Sequence, residues 1–319
     1  MAGGARVLAL TGGVGGAKLA LGLARELGPR ELSLLVNTAD DFKHLGLHIS
    51  PDIDTLLYTL SGRSSRERGW GLEGETWQVR EALENLGAET WFQLGDRDLA
   101  THLLRSGRLA AGDSLTAVTR LLGRAMGLEP EVLPMSDDPV STVVHTAEGD
   151  LPFQHYFVRR ACEPAVSGFS FEGIEGAAPN PALLERLAAG EIAAVVICPS
   201  NPFVSVDPVL QLPGLWQRIA QLSVPVIAVS PIVGGRAIKG PAAKMLAELG
   251  MPVDAGAVAR HYAARYPGLV DTFVIDSADA ALADSIAELG MAVAVTGTLM
   301  ESLDDKRRLA RFVLARAGL

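Results

Sequence analysis

Four aspartates fall within fifteen residues of the stretch NTADDFKHLGLHISPDIDTLLYTLSG (37–62): Asp40, Asp41, Asp52 and Asp54. Helix capping accounts for one of them, with Ser50 or Asp52 as the cap and Pro51 in the first turn. Four carboxylates in one place call for a positive partner, and magnesium is the natural one. That hard cation takes one or two carboxylates together with the oxygens of a bound phosphate. A place for the phosphate stands upstream. LALTGGVGGAKLALGLARELG (8–28) runs from an apolar strand through Thr11, Gly12, Gly13, Gly15 and Gly16 into an amphipathic helix. Glycines let the backbone come close to an anion, and a helix N-terminus favours negative charge.

Other polar clusters could contribute. LGDRDLATHLLR (94–105) opens a helix with Asp96, Arg97 and Asp98, where capping and an i,i+4 pair from Asp98 to His102 form the plainer account. LPMSDDP (133–139) offers Ser136, Asp137 and Asp138, for which Asx turns suffice structurally. In PSNP (199–202), Ser200 and Asn201 can hydrogen-bond a base, a ribose or the backbone. The turn Lys239-Gly240-Pro241 before a helix could hold a further anion or act as a cap. No Ser-His-Asp or Cys-His arrangement is legible from spacing.

The elements that must position these residues alternate in type. Near-continuous apolar runs occur at 6–12, 32–41, 193–202, 225–235, 271–277 and 292–298, separated by helical periods. Such runs indicate a parallel sheet covered on both faces. Ligands of open parallel sheets sit at the carboxyl ends of the strands, and TGGVGG, NTADD, PSNP and SPIVGG each follow one of the runs. The expected architecture is α/β: a Rossmann-like, doubly wound, mainly parallel sheet from residues 1–54 and 131–319. A mostly helical insertion over 55–130 would cover the active site. Residues 141–160 read as a hairpin turning at Glu148-Gly149-Asp150.

Composition narrows the class. The chain has 319 residues, 48% of them apolar, and a formal net charge of −9. That charge argues against general binding of nucleic acid or anionic membranes, but not against a small anionic ligand held by backbone amides. Two distant cysteines, Cys162 and Cys198, give no disulfide framework and point to a reducing compartment. No apolar run approaches the ~20 residues of a membrane span. The N-terminal apolar stretch is broken by four glycines and Lys18, so a cytoplasmic protein is expected. The dinucleotide fingerprint fails, because counting from Gly13 and Gly15 its sixth position is Lys18. A Walker A loop fails too, since Ala17 precedes Lys18 and Leu19 follows it. His44 and His48 would suit zinc only on a shared helix, which Gly46 disfavours.

Taken in order, TGGVGGAKLALGL, VNTADDFKHLGLHISPDIDTLLYTL, RGWGLEGETW, LGDRDLATHLLR, LPMSDDPVST, PSNPFVSVDPVLQLPG and SPIVGGRAIKGPAAKM resemble the 2-phospho-L-lactate transferase family, the CofD/FbiA group of deazaflavin coenzyme biosynthesis. The resemblance implies transfer of a phospho-lactyl or phosphoenolpyruvyl group from a guanosine diphosphate adduct to the terminal ribityl hydroxyl of the deazaflavin Fo. GMP would be released, magnesium required, and the protein a homodimer. It implies that Asp54 contacts Fo, that Asp40 is a metal-site acid, and that magnesium lies on Asp40 and Asp54 as the catalytic pair. Thr11, Gly12, Gly13, Gly15, Gly16, Asn37, Asp41, Asp96, Arg97, Ser136, Asp137, Ser200 and Asn201 complete the expected substrate-binding set. Where some members carry a lysine before LGDRD, this chain has Gln93, which would offer an amide hydrogen bond instead. Trp70, Trp77 and Trp91 could wall the flat deazaflavin. On this reading Asp54→Ala removes activity and leaves the fold intact. The competing readings are a YvcK-type nucleotide-sugar-binding regulator without catalysis and, weakened by the failed fingerprint, a nicotinamide dehydrogenase.

Overall fold

Seven strands with buried apolar faces make the central sheet: β1 (Arg6–Thr11), β2 (Leu32–Val36), β3 (Glu131–Pro134), β4 (Ile192–Ile197), β5 (Val226–Val229), β6 (Thr272–Asp276) and β7 (Ala292–Thr296). They lie in the order β7-β6-β5-β4-β1-β2-β3, and every neighbouring pair is parallel. This is the doubly wound arrangement expected, with one strand added to the 3-2-1-4-5-6 order of dinucleotide-binding folds. The structure is a computed structural model and describes residues 6–238 and 240–319. Lys239, the head of the possible anion turn, lies outside them.

The pleat divides the strand residues between two cores. Leu8 and Leu10 enter a cluster with Ile197, Phe203, Val258 and Phe273, while Val7 and Ala9 enter a second with Leu19, Leu23, Leu34 and Val313. Burial of one such aliphatic side chain is worth about 1.5–3 kcal/mol, so a residue slip in register would forfeit both cores. Helices α1 (Gly13–Glu26) and α2 (Pro51–Leu60) pack on the second face together with the C-terminal helix Leu303–Arg316.

Helices α3 (Gln78–Asn85), α4 (Asp96–Ala110) and α5 (Leu115–Ala125) follow. The expected insertion boundary at residues 54 and 55 falls inside α2. That helix buries Ile53, Leu56 and Leu57, and α5 buries Leu115, Val118 and Leu122, in the same layer as α1. Both helices therefore belong to the core, and the part that stands over it is narrower than 55–130. It centres on α3, which has no buried residue, and on α4.

Two antiparallel additions complete the chain. Phe42–His44 and Leu47–Ile49 form a short hairpin, which puts His44 opposite Leu47 and His48 opposite Lys43 rather than both histidines on a helix. Ser141–Thr146 pairs on one side with Gly149–Pro152 and on the other with Val166–Glu172. The turn of that hairpin comes earlier than expected, because Gly149 already pairs with Thr146. Among the described residues no helix is long and apolar enough to cross a membrane.

Asn180 ties β3 to the following helix, α6 (Pro181–Ala188). Its side chain accepts from the amides of Ala182 and Leu183 and donates to Thr116 Oγ1 at 2.7 Å and to the Pro134 carbonyl at 3.0 Å, all in a buried position. Each such bond contributes about 1 kcal/mol, and the orphaned partners cost more. Asn180→Ala is therefore expected to destabilise the fold by about 2–4 kcal/mol, read as a lowered midpoint in urea unfolding with an unchanged slope.

Candidate active site

Strand β1 has β2 on one side and β4 on the other, and the strand order reverses there while all strands stay parallel; crevices of such sheets open at this switch point. The loops leaving β1 and β4 meet there. The Ser200 hydroxyl accepts from the Gly12 amide at 3.2 Å and lies 2.9 Å from the Gly12 carbonyl. A Cβ on Gly16 would run into Thr11 and Ser200, and one on Gly15 into the Pro199 carbonyl. Gly13 has φ +61°, a conformation side chains resist. The glycine loop thus serves close packing as well as amide presentation. Asn201 caps the next turn through the Phe203 amide at 3.0 Å.

Asn37 is the hub of the rim. Its backbone amide binds the Thr11 carbonyl, its side-chain oxygen accepts from Ala39, and its side-chain amide donates to Asp52 at 3.0 Å and to the Val204 carbonyl at 3.3 Å. The ends of β1 and β2, the segment after β4 and the start of α2 are all held by this one residue.

The four aspartates have four different environments. Asp52 reaches the glycine loop and accepts from the Gly13 amide at 2.7 Å, so an aspartate of the chain itself sits at the N-terminus of α1. Burial pushes its carboxyl up to about 6 despite the Asn37 and Gly13 hydrogen bonds. Asp41 accepts from His48 Nε2 at 3.0 Å and Ser50 Oγ at 2.6 Å; burial outweighs both and raises its carboxyl. Asp40 is raised well above the carboxylate range, first by burial and then by the charge of Asp52. Asp40 Oδ1 and Asp41 Oδ1 are buried without a hydrogen-bond partner. A carboxylate pair with orphaned oxygens, each disfavoured as an anion, fits a divalent cation that completes its shell with substrate oxygens. Among the described residues no three His, Cys, Asp or Glu side chains converge into a closed metal cage.

Asp54 departs from expectation. Arg105 of α4, fully buried, grips both carboxylate oxygens: one guanidinium nitrogen donates to Oδ2 at 3.0 Å and the other binds Oδ1. Both oxygens of Asp54 are thus engaged by a guanidinium, whereas Asp40 and Asp41 each keep an unpartnered oxygen. Behind the pair lies a polar network. His102 stands between Asp54, 3.7 Å from Nδ1, and Asp98, 3.3 Å from Nε2. Tyr58, one turn beyond Asp54 on α2, donates to Asp98 at 2.5 Å. Burial opposes ionisation of Asp98, yet His102, Tyr58 and Arg105 hold its carboxyl below its ordinary value.

This explains LGDRDLATH. Asp98, His102 and Arg105 recur at helical spacing and form the buried stripe of α4, while Leu103 and Leu104 are exposed. Asp96 turns the other way: it accepts from Thr76 Oγ1 at 2.6 Å and from the amides of Gln78 and Val79, capping α3. Glu75 answers by accepting the Arg97 and Asp98 amides at 2.8 and 2.9 Å, capping α4. The Arg97 guanidinium donates to the Glu73 carbonyl. Ser136 and Asp137 are likewise engaged in structure, Ser136 with the Ala178 carbonyl at 2.6 Å and Asp137 with the Thr116 amide at 2.7 Å. Gln93 is exposed. Arg105, Tyr58 and His102 went unnoticed as a site in the sequence, although the polar stripe that carries them was visible there.

Trp91 packs with Phe42, His44 and His155, at ring distances of 5.9, 5.2 and 4.8 Å, on the hairpin that follows Asp41. Trp70 and Trp77 form a separate group around Arg68. A cavity of about 790 Å³ lies elsewhere, lined by Phe169, Phe171, Phe203, Asp207, Met251 and His261 among others. It touches neither the glycine loop nor the four aspartates. The chemistry therefore points to the switch-point rim and not to that cavity.

The chain resembles proteins of one family over nearly its whole length. The family model for 2-phospho-L-lactate transferase CofD matches residues 7–304. A 2-phospho-L-lactate transferase of Methanosarcina mazei is 39% identical over 308 residues, 97% of this chain and 99% of that protein. A phosphoenolpyruvate transferase of Kitasatospora aureofaciens is 38% identical over 318 residues, 98% of each chain. A solved structure from Bacillus halodurans, a member of the UPF0052 family, has TM-score 0.64 at 16% identity and covers 98% of this chain and 99% of its own; it shares the fold.

Two outcomes follow from the buried charges. Removing one partner of a buried ion pair costs about 3–5 kcal/mol. Asp54→Ala should therefore lower stability by about that amount in urea unfolding, contrary to the expectation that the fold is left intact. Asp52 binds a proton in the folded state that the unfolded chain releases near its ordinary value of 3.8. The stabilisation this brings is full below that value and is lost as pH rises through about 6. Urea titrations without divalent cations should show wild-type stability falling, relative to Asp52→Asn, across that interval.

Proposed function

The chain belongs to the 2-phospho-L-lactate transferase family, and from that premise we propose that it transfers a phospho-lactyl or phosphoenolpyruvyl group from a guanosine diphosphate adduct to Fo, releasing GMP. The observation that carries this reading is the buried Asp40–Asp41 pair with its orphaned oxygens at the switch point, beside the glycine loop. Transfer at phosphorus asks mainly for positioning and charge stabilisation. The amides at the start of α1 and the Ser200–Asn201 turn receive the donor. Asp54, fixed by Arg105, faces the acceptor hydroxyl, and the Trp91–Phe42 group walls the ring. The hydroxyl oxygen forms the new bond to phosphorus, the bridging bond to GMP breaks, and the hydroxyl proton passes to a carboxylate of the rim. Magnesium, held by Asp40 and Asp41 with donor oxygens, would supply charge neutralisation at phosphorus.

The acid carried by the donor is left to experiment, since relatives bearing the two names are equally similar: 39% for the lactate-named enzyme and 38% for the enolpyruvate-named one. Mass spectrometry of the product from Fo and each guanosine adduct identifies it. A guanine nucleotide at ~100 times its Kd should stabilise the fold by about 2.7 kcal/mol, whereas UDP-N-acetylglucosamine and NAD should not. Asp40→Asn is expected to lower transfer about 10²-fold or more with the fold retained. Turnover by that variant at the wild-type rate, or no product from any adduct, would refute the reading.

A further inference from the structure

The guanidinium of Arg105 is the largest fully buried side chain of the molecule's described part, and it is the contribution of α4 to a site otherwise built by the core. It is held by both oxygens of Asp54, and the nitrogen that binds Asp54 Oδ2 also contacts His102 Nδ1 at 3.3 Å. Ser106, the next residue, accepts the His48 amide at 2.8 Å, and His48 in turn holds Asp41. Helix α4 therefore grips both ends of the acidic segment, the hairpin after Asp41 and the first turn of α2. Tyr58, Asp98 and His102 surround that grip with a polar network that leaves little freedom of rotation.

A guanidinium fork fixes a carboxylate in plane and position, whereas an ammonium is a point charge about which the carboxylate can turn. We propose that Arg105 is a positioning residue for acceptor recognition: it sets the orientation of the Asp54 carboxylate, and the Tyr58–Asp98–His102 network keeps Arg105 in place. The inference rests on the proposed reading that Asp54 faces the acceptor hydroxyl. It assigns the role of Asp54 to hydrogen-bond acceptance from a neutral alcohol and leaves the cation to Asp40 and Asp41. The donor, held at the glycine loop through groups that Arg105 does not touch, is bound independently.

The test is equilibrium binding with the full-length protein, following Fo by the fluorescence of its ring and GDP by calorimetry, in wild type, Arg105→Lys and Tyr58→Phe. Arg105→Lys keeps the charge and loses the fork; Fo affinity should fall at least about tenfold while GDP affinity stays within about twofold. The KM for Fo should rise with the KM for the donor unchanged. Tyr58→Phe removes one hydroxyl from the surrounding network and should weaken Fo severalfold in the same direction, so it decides the matter if Arg105→Lys does not fold. A merely structural Arg105 would lower the melting temperature and leave both dissociation constants, measured well below it, unchanged; that result overturns the inference. Wild-type protein that binds GDP but not Fo overturns the functional reading itself and this role with it.

Discussion

A carboxylate taken out of water must find hydrogen-bond donors, a cation or a proton, and the rim of this sheet buries four within one short segment. The structure answers differently for each. Asp54 has a guanidinium, Asp52 has two amide donors, and Asp41 has an imidazole and a hydroxyl for one of its oxygens. Asp40 is left with an orphaned oxygen and two acidic neighbours. The unmet demand for positive charge is thereby concentrated at one end of the segment. Division of the aspartates, more than their number, makes a site.

The same division couples the fold to the chemistry. Asn37 cannot leave Asp52 without also releasing the Val204 carbonyl, and Asp52 cannot move without freeing the N-terminus of α1. An anion arriving at that N-terminus meets a carboxylate already bound to Gly13. Two negative groups can approach there only with a proton or cation between them, or with the anion on the neighbouring amides. A chain with a net charge of −9 can hold an anionic substrate by this means without a basic surface.

Much of the architecture was legible in the order of residues. The apolar runs are strands because alternate residues feed two cores, and four of the six runs are followed by a polar cluster at the carboxyl edge. What could not be read was pairing at a distance. Asp40 and Asp54 look equivalent in the sequence; the arrival of Arg105 from 51 residues away separates a carboxylate locked in an ion pair from one left with an orphaned oxygen. For Asp96, Ser136 and Asp137 the sequence leaves cap and ligand contact open, because both ask for the same side chains. Their partners, α3, the Ala178 carbonyl and α5, are known only once the chain is folded.

Helix α4 docks through its polar face, and this has a physical consequence. Its leucines at 103 and 104 suggest a core-facing side, yet they are exposed at 56% and 44%, and the face turned inward carries Asp98, His102 and Arg105. A helix docked by apolar contact can slide or rotate by small steps at little cost, because dispersion is undirected. One docked through a guanidinium fork, a tyrosine hydroxyl and reciprocal caps with α3 has a single register, since each bond is directional and each orphaned partner is penalised. Stability gains little from such an arrangement, as buried ion pairs roughly break even against apolar packing. Its advantage is placement. The helix is fixed where its arginine meets Asp54, and the exposed leucines are the consequence of turning the polar face inward.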